Sequence, residues 1–350
     1  MAPPKLLRPC CMVWLVVFAT TFYLSAQTTS YQSIFQELQR YDPLIITLET
    51  DLSAIQDEPD SIAHWHPGIL FVMQADTIAH RYNVGVKARG NMRRKYCEFP
   101  PLKLRFNPET PGDTLKDSDD LKLVYACNEN GESKNLVIRE ALMYRLYNQL
   151  TDQSFRIKTA QVSVKNTGKR QRTTERPAFF IESTDEVAER LNMIPYNPRV
   201  VSSRSIDSAA YDRMAIFQFM IGNTDWSLRS KHNIKMFKPE EGLPVAIPYD
   251  FDYAGAVDAS YAVPHERVPI KNVRERYYLG RCRNTDVMQQ NLVEFRLKKA
   301  AVVSQCDTMP ELSKNDSRAV RQYLESFFEL INYPNQVQKN MVDICEGQKN

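Results

Sequence analysis

The chain has 350 residues, 45 of them Lys or Arg and 42 Asp or Glu, for a formal net charge of +3, and 43% of it is hydrophobic. A charge so nearly balanced gives no reason to expect nucleic acid or an anionic membrane as the main partner, and so apolar a composition excludes a disordered chain. The length accommodates two lobes or one large domain.

Residues 1–26 carry Lys5 and Arg8, then an apolar run over 11–23, and close on Leu24-Ser25-Ala26. That order is a secretory signal peptide cut at or near Ala26. The apolar run, about 13 residues long, falls short of the roughly 20 that an uncleaved anchor needs. Loss of Lys5 and Arg8 takes 45 basic residues to 43 against 42 acidic, a net charge of +1. The expected product is exported (periplasmic, cell-surface or secreted), with no transmembrane segment after cleavage. Its five cysteines, Cys97, Cys127, Cys282, Cys306 and Cys345, contain no C-x-x-C pair, which speaks against a zinc ribbon or a thioredoxin-type centre. One or two disulfides are expected, with Cys97–Cys127 preferred over a reactive Cys97 thiol.

Residues 27–66 read as a polar leader containing a short strand, "LIITLET", and an acidic loop. Residues 67–190 alternate apolar and polar side chains in "GILFVMQ", "RYNVGVKARG" and "PPLKLRF", which predicts strands. "NPETPGDTLKDSDD" is a turn-rich loop and "LKLVYAC" a further strand. "SKNLVIREALMYRLYNQL" has helical spacing, with Ser133 or Asn135 as N-cap. "FRIKTAQVSVKN" and "RPAFFIES" flank the basic loop "KNTGKRQRTTER", a hairpin tip by default, and "STDEVAERLN" opens on a capping pattern. Residues 191–350 are helix-rich: an apolar helix stops at Gly222, and two amphipathic helices follow beyond residue 284. Strands first and helices later predict an α+β, two-lobed layout with a strand-rich N-lobe and a helical C-lobe.

The chemistry concentrates in "IGNTDWSLRSKHNIKMF" and "IPYDFDYAG". A helix breaks at Gly222 and delivers Asn223, Thr224 and Asp225 into a loop; a strand then begins at His232-Asn233, and a second apolar strand ends at Asp250 and Asp252. Loop, strand, turn and strand bring Asp225, Asn233 and Asp250 to the ends of one hairpin. Magnesium takes such oxygen donors and leaves its remaining positions to phosphate and water. Phosphoryl transfer also needs a carboxylate to orient the attacking hydroxyl. Taken singly, Asn-Thr-Asp after a helix is ordinary turn chemistry and Asp-x-Asp ends many strands; it is their combination within apolar flanks that points to a site.

"GNTDW…HN…PYDFDYAG" resembles the spore-coat CotH-type kinases, atypical members of the protein-kinase-like fold, and more distantly the "GD…N…DF" pattern of lipid-kinase and HipA-like enzymes. "KARGNMRRKYCEFPPLKLRF" extends the resemblance over roughly residues 85–255. It implies a kinase-like two-lobed fold and transfer of the ATP γ-phosphate to a protein or glycan hydroxyl, with Mg²⁺ or Mn²⁺. By resemblance Asp225 is the catalytic aspartate, Asn233 and Asp250 hold the metal, and Asp252 holds a second cation or braces the loop. Lys103 contacts phosphate, Glu140 is its ion-pair partner, and Arg89 contacts phosphate or holds the strand turn. The chain departs from the pattern in the eight-residue step from Asp225 to Asn233 and in having no G-x-G-x-x-G loop. Lys87, Lys95 and Arg105 compete with Lys103.

Other classes fit less well. "HWHP" offers His64 and His66, with His80 or His232 as a third ligand, but no acidic partner at recognisable spacing. There is no G-x-S-x-G. Trp226 suits either the core or stacking on a substrate ring, and residues 259–280 suit either a lid or a packed connection. Two alternatives to a kinase remain: a non-catalytic surface binding or structural protein, and a metal-dependent phosphate-ester hydrolase using the same carboxylates.

Overall fold

The segment expected to be a leader closes a barrel. A computed structural model describes residues 33–58, 64–90, 97–98, 100–106, 119–126, 128–169 and 171–344. The signal peptide expected over 1–26, positions 107–118 of the acidic loop, Lys95, Cys127 and Cys345 lie outside the described residues. All described residues belong to one compact unit, Tyr31–Asn350.

The first elements are α1 (Ile34–Gln39), β1 (Leu44–Thr50) and α2 (Leu52–Asp57). Ser33 and Asp51 cap the two helices through their side-chain oxygens. After them come β2 (His66–Gln74), β3 (Thr77–Ala88), β4 (Leu102–Phe106), β5 (Asp119–Tyr125), β6 (Ile157–Asn166) and β7 (Arg172–Ile181). These seven strands form a closed barrel in the order β1-β2-β3-β4-β5-β7-β6. Closure is made by a parallel pairing of β1 with β6, from Leu44 opposite Ala160 to Thr50 opposite Asn166. Every other neighbouring pair is antiparallel. The period of two places Leu48, Val72, Val86, Leu104, Leu121 and Val162 inside, each fully buried.

This barrel overturns the expected two-lobed, kinase-like fold with its strand-rich N-lobe and helical C-lobe. The physical reason lies in pairing. Alternation marks a segment as a strand but does not say which strand it pairs with, and β1 finds its parallel partner far along the chain.

A second core lies outside the barrel. It is built by α3 (Gly131–Leu150), α4 (Thr184–Arg190), α5 (Ser208–Ile221), α6 (Thr285–Ser304) and α7 (Lys314–Asn332) with a three-stranded sheet, β10-β9-β8. Its strands are β8 (Met193–Pro195), β9 (Ile234–Pro239) and β10 (Val245–Pro248). The cap of α3 is Asn130, whose Oδ1 accepts the Ser133 N–H at 2.8 Å, so the helix begins earlier than the expected caps Ser133 and Asn135. The capping box of α4 joins Ser183 and Glu186, and Gly222 ends α5 with φ 68°. Cys97 and Cys282 each take part in a disulfide, and Cys306 is a buried free thiol.

Candidate active site

Gly222 turns the chain out of α5, and Asn223 then fixes the loop that leads to Asp225. Buried at 1% exposure, Asn223 donates Nδ2–H to Gln218 Oε1 at 3.0 Å and accepts the Asp225 N–H at 2.9 Å. The amide side chain thus does the turn chemistry and leaves the Asp225 carboxylate to other partners. His232 Nε2 lies 3.0 Å from Asp225 Oδ1, and Asn233 Nδ2 donates to Asp225 Oδ2 at 3.0 Å and to the Asp225 carbonyl at 2.8 Å. The eight-residue step to Asn233 is absorbed by a small hairpin in which Ser227 and His232 exchange backbone hydrogen bonds at 3.1 and 2.9 Å. Lys231 and Asn233 take positive φ of 55° and 53° to close it.

Asn233 enters β9 and Asp250 leaves β10 at the same end of one hairpin. Ile234 pairs with Pro248, and the Tyr249 N–H donates to the Asn233 carbonyl at 3.1 Å. Asp250 sits at φ 63°, a left-handed position for a non-glycine residue. Its N–H donates to the hydroxyl of Tyr144, on α3, at 2.9 Å. Phe251 is fully buried against Tyr144 and Phe217, at ring separations of 4.7 and 5.6 Å, and anchors the turn between the two aspartates. Asp252 is buried and accepts from the Tyr261 hydroxyl at 2.9 Å. The loop returns past α5: Gly255 N–H donates to the Gly222 carbonyl at 3.1 Å, and a Cβ at Gly255 would meet the Val273 carbonyl oxygen at 2.3 Å.

The cations around Asp250 come from the barrel wall and from β9. Lys122, on β5, places Nζ 4.4 Å from the Tyr249 ring centroid, and Lys235 places its own 5.6 Å from the same ring. Burial, then repulsion from Arg89, pushes the Lys122 ammonium from 10.5 down to about 7; attraction to Asp250 opposes the shift, while Lys235 and Lys103 add to it. Burial raises the Tyr249 hydroxyl, with Asp250 acting in the same direction and Arg89 against it. The Tyr144 hydroxyl is raised well above 10 by burial first, then by Glu140 and Asp250.

Asp225, Asn233 and Asp250 therefore come together, and Arg89 is an electrostatic neighbour of Lys122 and Tyr249. Lys103 does not make the expected ion pair with Glu140. It is held by Asp120 at 2.6 Å on the outer barrel wall beside Trp65, whereas Glu140 is buried on α3 one turn before Tyr144. Lys122, directly opposite Lys103 in the β4–β5 register, is the lysine that feels Asp250. Trp226 is buried against Tyr211. Within residues 259–280, Tyr278 is fully buried and Arg276 reaches the Met220 carbonyl at 3.1 Å, as a packed connection does.

Lys122, Tyr144, His232 and Lys235 were assigned no role at this site from the sequence, although His232 stands within the quoted motif. Of the four, only His232 carries a local signal, its place directly before Asn233. His64 and His66 do have an acidic partner, Glu58, whose Oε1 lies 3.0 and 2.8 Å from their ring nitrogens. Among the described residues no group of three or more His, Cys, Asp or Glu is arranged to hold a metal ion.

No family model matches the chain, and no curated protein is significantly similar to it. The case for chemistry rests on the residues themselves. Asn233 uses its Nδ2 on Asp225, which leaves its Oδ1 as a hard oxygen donor at the hairpin end that Asp250 shares. One amide and one carboxylate suit a magnesium ion that keeps water and phosphate for its other positions. An open cavity of about 870 Å³ adjoins Asp225 and is lined by Trp226, Arg229, His232, Arg267 and Tyr277 among others.

Proposed function

We propose that the protein is an exported phosphotransferase that moves the γ-phosphate of ATP to a hydroxyl of a protein or glycan, dependent on Mg²⁺ or Mn²⁺. One observation carries this reading: a carboxylate–amide–carboxylate set converges at one hairpin end, with Lys122, Lys235 and Arg89 gathered on the Asp250 side. The motif resemblance to CotH-type kinases supports the same chemistry on a different architecture.

The residues divide the work by charge. Lys122, Arg89 and Lys235 repel one another without a ligand, and a polyphosphate relieves that repulsion. Asp225 is oriented by Asn233 and His232 and accepts the proton of the acceptor hydroxyl. The acceptor oxygen bonds to the γ-phosphorus as the bond to the bridging oxygen breaks, and ADP leaves with that electron pair. Asn233 Oδ1 and the Asp250 carboxylate would hold the cation, which supplies neutralisation of phosphoryl charge when bound. Tyr144 holds the left-handed Asp250 backbone through its N–H.

A second reading, a non-catalytic surface binding or structural protein, is favoured by one feature: both Asp225 oxygens already accept hydrogen bonds. Transfer of labelled phosphate from γ-labelled ATP separates the two. Under the phosphotransferase reading, incorporation falls by about 10²–10⁴-fold in Asp225→Ala and is also lost in Asp250→Asn. No incorporation, together with no rise in melting temperature at saturating ATP–Mg²⁺, where about 2.7 kcal/mol is due at 100 times Kd, overturns it.

A further inference from the structure

We propose that the cavity beside Asp225 is an acceptor site built for an acidic peptide, an inference that takes the role of Asp225 from the phosphotransferase reading. The cavity holds about 870 Å³, within the range of sites that receive a drug-sized ligand or a short chain segment. A smaller extension of about 420 Å³ shares Thr224, Asp225, His265 and Arg267 with it. Asp225, at the junction of the two, is where an acceptor hydroxyl meets the base.

The charge of the walls selects the acceptor. Arg229 and Arg267 are exposed, stand on different loops, and form no ion pair among the described residues. Elsewhere many of the chain's arginines are committed: Arg190 to Glu182, Arg283 to Asp212, Arg274 to Asp258. Two guanidiniums left at the mouth of one cavity present planar donor forks that match carboxylates. His232 and His265 add ring nitrogens beside them. The carboxylates are Asp225, already facing His232 and Asn233, and Glu266 in the smaller extension beside Arg267. A neutral glycan offers both guanidiniums only uncharged hydroxyl acceptors, and a basic peptide meets them with like charge. A peptide seated here places its hydroxyl at Asp225 and flanking carboxylates at Arg229 and Arg267. By contrast, in the cavity of about 700 Å³ walled by α1, α3 and α4 the arginines face Asp152, Glu182, Glu186 and Glu189, with Arg190 and Glu182 already paired.

The test is binding without nucleotide, so that its outcome is independent of phosphate transfer. Two labelled nonapeptides, one with Ser flanked by glutamates and one with Ser flanked by lysines, are titrated with the full chain and read by fluorescence anisotropy. The acidic peptide is expected to bind about 2- to 30-fold tighter, the effect of two exposed charge pairs. That preference shrinks as salt approaches about 1 M, where the screening length is about 3 Å. R229E/R267E reverses the preference and R229Q/R267Q abolishes it, while the charge-matched K314E/R318E, on exposed positions of α7, retains it. Equal affinities, a preference for the basic peptide, or a preference untouched in R229Q/R267Q overturns the proposal. A clear acidic preference in a chain that shows no ATP-dependent stabilisation keeps this site and removes the phosphotransferase reading instead.

Discussion

Lys122→Met removes a positive charge that folding disfavours. Burial, reinforced by Arg89, takes the ammonium from 10.5 in the unfolded chain to about 7 in the fold. The unfolded chain holds the proton more tightly, so stability rises with pH between about 7 and 10.5, and the full cost is present below 7. That interval, at about 1.4 kcal/mol per pH unit, sets a ceiling of about 5 kcal/mol. The side chain keeps partial contact with water, which reduces the expected gain to about 2–3 kcal/mol. For a chain of this length about 1.5 °C accompanies each kcal/mol, so Lys122→Met should raise the melting temperature by about 3–5 °C at pH 6. The difference should fall below about 1 kcal/mol by pH 10. Scanning calorimetry across that pH range measures it. A lower melting temperature at pH 6, or a difference that does not vary with pH, would refute the electrostatic account of this lysine. A second arm uses the ligand. ATP–Mg²⁺ binding to the wild-type chain near pH 8 should take up a proton, visible as a dependence of the binding enthalpy on buffer ionisation, and Lys122→Met should lose both the uptake and most of the affinity.

Tyr144→Phe removes the hydroxyl that accepts the Asp250 N–H; it should cost about 1–2 kcal/mol in urea unfolding and lower phosphate transfer more than ATP binding. Arg190→Ala leaves Glu182, only 5% exposed, without its two guanidinium hydrogen bonds of 2.8 and 2.9 Å, and should lower unfolding stability by about 3–5 kcal/mol. Gly255→Ala drives a methyl to 2.3 Å from the Val273 carbonyl oxygen and 2.7 Å from the Tyr323 hydroxyl, and since backbone yields little, about 1–3 kcal/mol should be lost by the same measurement.

The local half of this protein was legible in its sequence. Gly222 had to end α5 because its φ of 68° suits glycine, and the Ser183–Glu186 box announced α4. The apolar flanks of "HN" and "DFD" placed Asn233 and Asp250 at one hairpin end, since a two-stranded antiparallel pair is settled within a few residues. What depended on distant partners was not legible. "LIITLET" has the alternation of a strand, yet its role in closing the barrel depends on β6, more than a hundred residues later, and the two-lobed kinase-like expectation failed there. Lys103 and Lys122 look alike on their strands; Asp120 decides that one is ion-paired, and the approach of Tyr249 and Asp250 decides that the other belongs to the site. Tyr144 reaches Asp250 across 106 residues, with no spacing to announce it. Periodicity, caps and turns act over a few residues and are written in order along the chain. Strand pairing, burial of charge and the choice of an ion-pair partner are set by which surfaces meet, and only the tertiary structure decided those.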